Sequence, residues 1–333
     1  MKTGGHLRLY FPRWRFPYNL GDTVMLSSVF AALRQVYRPN FFEVVADATV
    51  AEVFAGDPWV DRFSVATWLE RKLIRHPLWN WQRRRRGDLL LWPHWQPATF
   101  AHLATSDHLE RLIADPRRNI LSVNYAIQLG PGVLDYPDLR PRLYLTPAEV
   151  EQGRAAIAAN AIALHIAPIR RDQGRHDGER LRYRRASWQR CVDLLRAFDP
   201  TLTFHEVGQE RFEGIGDHWV APGSIRALAA KLKAMRLVIL ADGGVHNLCN
   251  AIDQPVLLFQ GYEWNPPELF KMGNALFDPT YHPACRRDCH LFEEILNLPR
   301  ARDHCQRACY DLDPERLAAD AIAWLRGQPD QIV

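Results

Sequence analysis

The 333-residue sequence lacks an apolar run long enough to form a signal-peptide core or to cross a bilayer. The first apolar run after Met1 extends from Leu7 to Pro12 and already contains Arg8. A spanning helix needs about 20 predominantly apolar residues, so this run is too short and too charged. We therefore expect a cytoplasmic protein.

The sequence also lacks an internal repeat of fixed period and has no low-complexity tract. Its hydrophobic fraction of 47% and charged fraction of 24% are those of an ordinary soluble globular protein, which excludes a disordered chain. A length of 333 residues predicts two domains of about 150 residues, each with its own core.

Apolar periodicity predicts alternating strands and helices in both halves of the chain. The predicted strands are 6–11, 41–47, 161–167, 201–207, 236–242 and 255–260, and the predicted helices are 26–37, 187–198, 224–235 and 244–252. This alternation indicates an α/β fold with doubly wound parallel sheets. Prolines cluster before residue 150, so we predict domains 1–150 and 151–333. Residues 65–120 show little periodicity.

The net charge of +4 conceals one strongly basic stretch. Residues 71–86 carry seven Lys/Arg among two tryptophans. Basic and aromatic residues interleaved in this way suit phosphates, an anionic glycan or an anionic membrane surface. A solvated basic loop is the alternative interpretation.

A glycine pair follows the apolar run that ends at Leu240. In open parallel sheets, ligands sit beyond the carboxyl ends of the strands, and the amides at a helix start favour an anion. Asp242, Gly243 and Gly244 occupy such a turn, where glycine lets the backbone approach phosphate oxygens closely. A tight turn without a ligand is the alternative.

Three segments together resemble the family 9 glycosyltransferases, whose best-known members are the ADP-heptose:lipopolysaccharide heptosyltransferases. They are residues 20–39 (LGDTVMLSSVFAALRQVYRP), 54–63 (FAGDPWVDRF) and 241–261 (ADGGVHNLCNAIDQPVLLFQG). The resemblance implies two Rossmann-like domains facing a cleft, with the acceptor held by the first and the nucleotide sugar by the second. It also implies inverting transfer from a nucleotide-activated sugar, usually ADP-heptose.

The resemblance places the family's proposed general base at Asp22, which follows Gly21. Displacement at an anomeric carbon needs a base to accept the proton of the acceptor hydroxyl, and a carboxylate can do this. The alternative for Asp22 is a helix N-cap, because a helical run follows it.

On the donor side, the resemblance implies a lysine soon after the first strand of the second domain. Residues 180–188 (RLRYRRASW) contain no lysine and instead supply arginines, which can bind a diphosphate bidentately. The candidate donor-binding arginines are Arg182, Arg184 and Arg185. A solvated charged loop is the alternative for most of them.

The glycine turn departs from the commonest family pattern, in which histidine comes five residues after the acid. Here His246 comes four residues after Asp242, and Asn247 takes the fifth position. A subgroup with two adjacent histidines fits this spacing better. We expect Gly244, Val245 and His246, and with them Asn247, to line the donor diphosphate. An ordinary helix-start residue is the alternative for His246.

Six cysteines fall into two classes. Cys191 and Cys249 lie on predicted helices and are most simply buried packing residues. The others form a cluster of two pairs: Cys285, Cys289, Cys305 and Cys309. Four thiolates suit a structural zinc or iron, as in protein heptosyltransferases that this region resembles. Disulfides and unpaired thiols are the alternatives, and His282, His290 or His304 could substitute as ligands.

The chain closes with a predicted amphipathic helix that has Asp313 as N-cap and Pro314 in its first position. Our hypothesis is an inverting glycosyltransferase that needs no catalytic metal. Its donor is a nucleotide-linked sugar, with ADP-heptose as the first choice. Its acceptor is a glycan, a lipopolysaccharide or a protein. The hypothesis also includes a peripheral contact of the protein with the inner membrane. The alternatives are a nucleotide-sugar epimerase and a metal-containing nucleic-acid-binding protein, although we expect no nucleic acid.

Overall fold

The computed structural model divides the chain into two compact units, Met1–Tyr144 and Leu145–Val333. The predicted boundary at residue 150 would fall inside a helix, Pro147–Ala156, which belongs wholly to the second unit. The structure describes residues 5–11, 20–73, 76–92, 106–166, 185–208, 211, 214–221, 223–240, 243–258, 275–277 and 313–327. None of the helices among these residues is long and apolar enough to cross a membrane.

The first unit is built on a four-stranded parallel sheet of order β3-β2-β1-β4. Its strands are β1 (His6–Tyr10), β2 (Phe41–Ala46), β3 (Arg62–Val65) and β4 (Leu89–Leu90). Its described helices are α1 (Leu20–Met25), α2 (Phe30–Tyr37), α3 (Ala48–Val53), α4 (Trp68–Leu73), α5 (Pro77–Arg85), α6 (Ser106–Ala114), α7 (Ile120–Leu129) and α8 (Pro131–Leu134). A 3₁₀ turn, Leu26–Val29, joins α1 to α2.

Aromatic packing joins α2 to the sheet of the first unit. The ring of Phe30 packs edge-on against Phe42 of β2 and Phe54, with centroids 6.2 Å and 5.4 Å away. All three side chains are fully buried or nearly so. Strand β2 is buried along most of its length, as expected for a parallel strand covered on both faces.

One carboxylate, Glu43, is buried in this sheet and is held by the two neighbouring strands. Arg8 of β1 and Arg62 of β3 are its register partners on either side. Arg8 Nε donates to Glu43 Oε2 at 2.6 Å, and Arg62 Nη2 and Ser64 Oγ donate to Oε1 at 2.6 and 2.5 Å. Burial alone raises the pKa of Glu43, but the bonds from Ser64, Arg62 and Arg8 outweigh it and lower the pKa from 4.5 to about 2.

The second unit is built on a six-stranded parallel sheet of order β10-β9-β8-β5-β6-β7. Its strands are β5 (Ala161–His165), β6 (Thr203–Val207), β7 (His218–Val220), β8 (Leu237–Leu240), β9 (Val256–Leu258) and β10 (Ala275–Phe277). Its described helices are α9 (Pro147–Ala156), α10 (Arg185–Phe198), α11 (Ile225–Lys233), α12 (Gly244–Ala251) and α13 (Pro314–Leu325).

Helices cover both faces of this second sheet. On one face, Ile162 and Leu164 of β5 form a buried cluster with Trp188 of α10 and Leu317 of α13. Helices α9 and α11 pack against each other closely at Gly153 of α9. A Cβ atom at this position would lie 2.2 Å from the carbonyl oxygen of Ala230 in α11, so only glycine fits. Helix α11 also contacts α12.

The predicted α/β class with parallel sheets is confirmed, and each predicted strand and helix overlaps an observed one. Cys191 and Cys249 are fully buried, and the Asp313 carboxylate caps α13 by accepting the Arg316 amide at 3.1 Å, both as predicted. Short elements of the first unit were not predicted. They include β3, β4 and the helices α3 to α8.

Replacing Glu43 with glutamine tests the ionic link across β1, β2 and β3. We expect the free energy of unfolding at pH 7 to fall by about 1–3 kcal/mol, because the neutral amide accepts through one oxygen only and two half-exposed arginines lose their anionic partner but can be rehydrated. Because the folded pKa lies below 4.5, the wild-type advantage is complete above that pH and disappears as the pH falls to about 2. Urea unfolding of both proteins across this range measures the gap, and a gap that does not vary with pH contradicts the assignment.

Candidate functional site

Both sheets reverse their strand order beside the first strand of the unit. In the first unit, β1 lies between β2 and β4, and in the second unit β5 lies between β6 and β8. The segments that leave adjacent strands at such a reversal run to opposite faces of the sheet, which opens a crevice at the carboxyl ends. Ligands of open parallel sheets bind there, so the residues that follow β1, β4, β5 and β8 are the candidates.

Asp22 lies in the first segment after β1. Helix α1 begins at Leu20, so Asp22 is its third residue, and its side chain is half-buried. The N-cap interpretation of Asp22 is therefore wrong, because the residue lies inside the helix rather than at its boundary. An acidic residue in the first turn still complements the positive end of the helix dipole.

Helix α7 holds the backbone around Asp22. The hydroxyl of Tyr125, a fully buried residue of α7, donates a hydrogen bond to the carbonyl oxygen of Asp22 at 3.2 Å. Burial raises the pKa of Tyr125 well above 10, and the nearby Asp22 carboxylate raises it further. Asn119, the N-cap of α7, also reaches α1 through a weak contact of 3.9 Å from its Nδ2 to Met25 Sδ. The position of Asp22 is thus fixed from outside its own short helix.

Tyr125 was not identified from the sequence. It lies 103 residues from Asp22 and carries no motif of its own. Its ring packs edge-on at 6.1 Å from Phe11, the residue that follows β1. Only the fold brings α7, the end of β1 and α1 together.

In the second unit, α12 starts at the glycine turn after β8. Gly243 is the N-cap and Gly244 is the first helical residue, so the N-cap residue has no side chain with which to cap the helix. The first amides of a helix have no partner within the helix, and together with its dipole they favour an anion. Asn247 closes the turn, because its backbone amide and its Nδ2 both donate to the Gly243 carbonyl, at 3.2 and 3.3 Å.

The next two predicted residues point inward. His246 has no exposed surface, and its Nε2 lies 3.4 Å from Nδ2 of Asn250, while Val245 is 7% exposed. Both side chains are therefore buried in the core, which leaves their main-chain amides as the groups that could line a diphosphate. Their role at the donor stays a prediction.

A different histidine, His165, lies at the carboxyl end of the strands of this sheet, where ligands of parallel sheets bind. It is the last residue of β5 and pairs in register with Leu240, the last residue of β8. Leu164 and Ile166 belong to the cluster with α10 and α13, so alternation directs His165 to the opposite face of the sheet. It therefore lies at the switch point between β5 and β8, one strand from the glycine turn.

The imidazole of His165 is buried without a complete set of hydrogen bonds. The residue is 5% exposed, and its Nδ1 has no hydrogen-bond partner among the described residues. Burial lowers the pKa of His165 from 6.5 to about 4, so the ring is neutral at pH 7. A neutral ring can offer one nitrogen to a ligand as a donor or as an acceptor. No local pattern indicated this role, since "AIALHIA" is typical of a buried strand.

The second family-like segment has a structural role in the first unit. Asp57 is buried, and burial raises the pKa of its carboxyl to about 6 even though the backbone amide of Trp59 donates to it at 2.9 Å. Asp61 accepts from the Phe42 amide at 2.6 Å and from Arg34 at 2.7 Å. These bonds join the turn after α3 to β2 and α2.

Several predicted site residues lie outside the described residues. They are Arg182, Arg184, Asp242 and the cysteines Cys285, Cys289, Cys305 and Cys309. Arg185 is the first residue of α10, and its side chain is likewise outside the described part. Within the described ranges, no three His, Cys, Asp or Glu residues are grouped so that they could hold a metal ion.

The architecture matches solved glycosyltransferases over almost the whole chain. A family 9 glycosyltransferase from Veillonella parvula is 13% identical with a TM-score of 0.60, covering 98% of this chain and 99% of that one. ADP-heptose lipopolysaccharide heptosyltransferase II from E. coli is 14% identical with a TM-score of 0.56, again covering 98% and 99%. The resemblance predicted from the sequence is thus confirmed at the level of the fold.

A third similar structure is an iron-containing dodecameric glycosyltransferase from enterotoxigenic E. coli. It is 11% identical with a TM-score of 0.58, covering 98% of this chain and 78% of that one. The same enzyme was also solved as a heptosyltransferase in complex with ADP-D-β-D-heptose, at a TM-score of 0.60. No protein-family model matches the chain. No curated protein matches it in sequence.

The neutral state of His165 can be tested by titration. As the pH falls from 6.5 to about 4, an unfolded histidine takes up a proton that the folded His165 does not. We expect the free energy of unfolding to lose up to about 3 kcal/mol over this range through His165, and His165→Asn to abolish that part of the loss. His76→Asn, which removes an exposed histidine, is the control. An NMR titration in which His165 protonates near pH 6.5 contradicts the assignment.

Proposed function

We propose that the chain is an inverting glycosyltransferase that moves a sugar from a nucleotide-activated donor to an acceptor hydroxyl. Heptose from ADP-heptose is the first choice of donor, and the acceptor is a glycan, a lipopolysaccharide or a protein side chain. The main support is that the predicted base and the predicted anion-binding turn each follow a strand that flanks a switch point. The fold shared with heptosyltransferases, one of them solved with ADP-heptose, adds to it.

In this proposal the first unit binds the acceptor and Asp22 is the general base. The acceptor oxygen attacks the anomeric carbon, its proton passes to the Asp22 carboxylate, and the bond from that carbon to the diphosphate oxygen breaks. Attack from the side opposite the leaving group inverts the anomeric centre. Tyr125 is a positioning residue, because its hydrogen bond fixes the Asp22 backbone.

The second unit binds the donor. The diphosphate gains negative charge as it leaves, and fixed amide donors and cations stabilise that charge. The amides of the first turn of α12, beginning at Gly244, supply the first kind of partner. Arg182, Arg184 and Arg185 supply the second, and Asp242 is a further predicted donor contact. Asn247 holds the turn through its two bonds to the Gly243 carbonyl. The neutral ring of His165 offers Nδ1, which has no hydrogen-bond partner among the described residues, to a hydroxyl or amino group of the donor.

A structural metal is a separate part of the proposal. One similar enzyme is described as iron-containing, which supports an iron or zinc ion held by Cys285, Cys289, Cys305 and Cys309. The four cysteines lie outside the described residues, so the metal stays a prediction from the sequence. No step of the proposed transfer passes through it.

Asp22→Asn tests the assignment of the base. We expect transfer to fall by about 100-fold or more, because an amide cannot accept the proton, while ADP affinity is unchanged. Glu70→Gln is the matched control, since Glu70 also lies in the first turn of a helix of the first unit, but that helix, α4, follows the edge strand β3. Turnover should be measured with ADP-heptose and acceptor, and ADP binding by calorimetry. Full turnover by the Asp22→Asn variant removes Asp22 from the role.

Gly244→Asp tests the anion site with two readouts that move in different directions. A carboxylate in the first turn of α12 repels a diphosphate, so ADP affinity should fall more than about tenfold. The melting temperature should stay the same or rise, because aspartate in the first turn complements the dipole and glycine is a poor helix former. Gly244→Ala isolates the effect of the added Cβ. Unchanged ADP binding in the Asp variant excludes this helix start as the donor site.

A further inference from the structure

Helices α4 and α5 of the first unit, which we call the docking helices, contain no fully buried residue. They have six and nine residues, which is shorter than an isolated helix needs to be stable in water. Helices in globular proteins gain most of their stability from packing an apolar face. The docking helices therefore lack most of the support that such helices usually have.

One side of the docking helices is attached to the sheet by a small aromatic and ionic cluster. The Trp79 ring packs edge-on against Tyr10 of β1, with centroids 5.5 Å apart. The guanidinium of Arg83 lies over both rings, 4.8 and 5.0 Å from their centroids, and is 3.4 Å from Asp88. Arg83 also lies 3.5 Å from Glu70 of α4, so it connects the two helices.

The other side exposes apolar side chains at unusual density. Seven large hydrophobic residues of the described chain are exposed, and five of them lie in or directly before the docking helices. They are Val65 (53% exposed), Trp68 (62%), Leu69 (55%), Leu78 (65%) and Trp81 (51%). Isolated exposed apolar residues are normal on a protein, but a concentration in one stretch marks an interaction surface.

Cations surround these apolar side chains. Residues 68–86 contain seven Lys/Arg and a single acid, Glu70, which already contacts Arg83. Lys72 Nζ lies 3.9 Å from the centre of the Trp68 ring, and the Arg85 guanidinium lies 3.9 Å from that of Trp81. Each exposed tryptophan thus carries a positive charge on one of its faces.

We propose that the docking helices bind the surface of an anionic bilayer. Tryptophan and leucine side chains insert into a bilayer at the level of the headgroups, and lysine and arginine side chains are attracted by anionic lipids. The docking helices combine both kinds of side chain. Nucleic acid fits less well, because exposed aliphatic side chains have no partner there and one face of each tryptophan is covered by a cation. The inference does not depend on the proposed transfer reaction.

Co-sedimentation of the full chain with vesicles tests the proposal. We expect binding to vesicles of phosphatidylglycerol mixed with phosphatidylcholine, little binding to phosphatidylcholine alone, and weaker binding as salt is raised. Brominated lipids should quench tryptophan fluorescence on binding. Two variants, Trp68→Ala/Trp81→Ala and Arg84→Glu/Arg85→Glu, should each partition about tenfold or more weakly. Unchanged circular dichroism spectra should accompany the loss, because none of these side chains is buried.

Matched controls come from the second unit. Trp219→Ala removes another exposed tryptophan, and Arg154→Glu/Arg190→Glu reverses two exposed arginines, so neither should change vesicle binding. Equal binding by all variants, or equal binding to neutral vesicles, overturns the proposal. Retention of single-stranded RNA that is lost in the two test variants, without vesicle binding, also overturns it and assigns the surface to nucleic acid.

Discussion

Pairing of the first strand of each unit on both of its edges is the constraint on which the candidate site depends. Strand β5 bonds to β6 on one side and to β8 on the other, and β1 bonds in the same way to β2 and β4. When a later strand pairs with the second edge of the first strand, the segments that leave these two strands run to opposite faces of the sheet. Within each unit, the polar residues that follow these strands come to the same edge of the sheet through this pairing and not through nearness in the sequence.

Local patterns in the sequence were sufficient to predict what depends on neighbouring residues. The six predicted strands, the capped helix at Asp313 and the glycine turn at Gly243 follow from apolar spacing and backbone chemistry over a few positions. Tyr125 could not be predicted, because its value lies in a contact with a residue 103 positions away. The docking helices were missed for another reason: they contain no fully buried residue, so too little of their surface is covered to impose an amphipathic period on the sequence.

Two of the three buried histidines described in the second unit, His165 and His246, show how register and helix phase decide where a side chain lies. His246 attracts notice because it follows the glycines, yet its helix turns it into the core, where it meets Asn250. His165 reads as a strand residue, yet it ends β5 opposite Leu240 and keeps Nδ1 without a partner among the described residues. Burial makes both side chains inaccessible to bulk water, but only His165 lies at the edge where a ligand of a parallel sheet binds.

Pairing also explains why a net charge of +4 says little about where this protein is basic. Arg8 and Arg62 share the carboxylate of Glu43, and Arg226 is held by Glu149 at 2.6 Å, so these arginines stabilise the sheet or join helices. The cations of residues 71–86 have no comparable supply of acids, because Glu70 is the only acid between 68 and 86. Glu70 and Asp88 both pair with Arg83, so the cations of this stretch outnumber the acids beside them. The apolar side chains between these cations make a bilayer surface a better partner than a small anion.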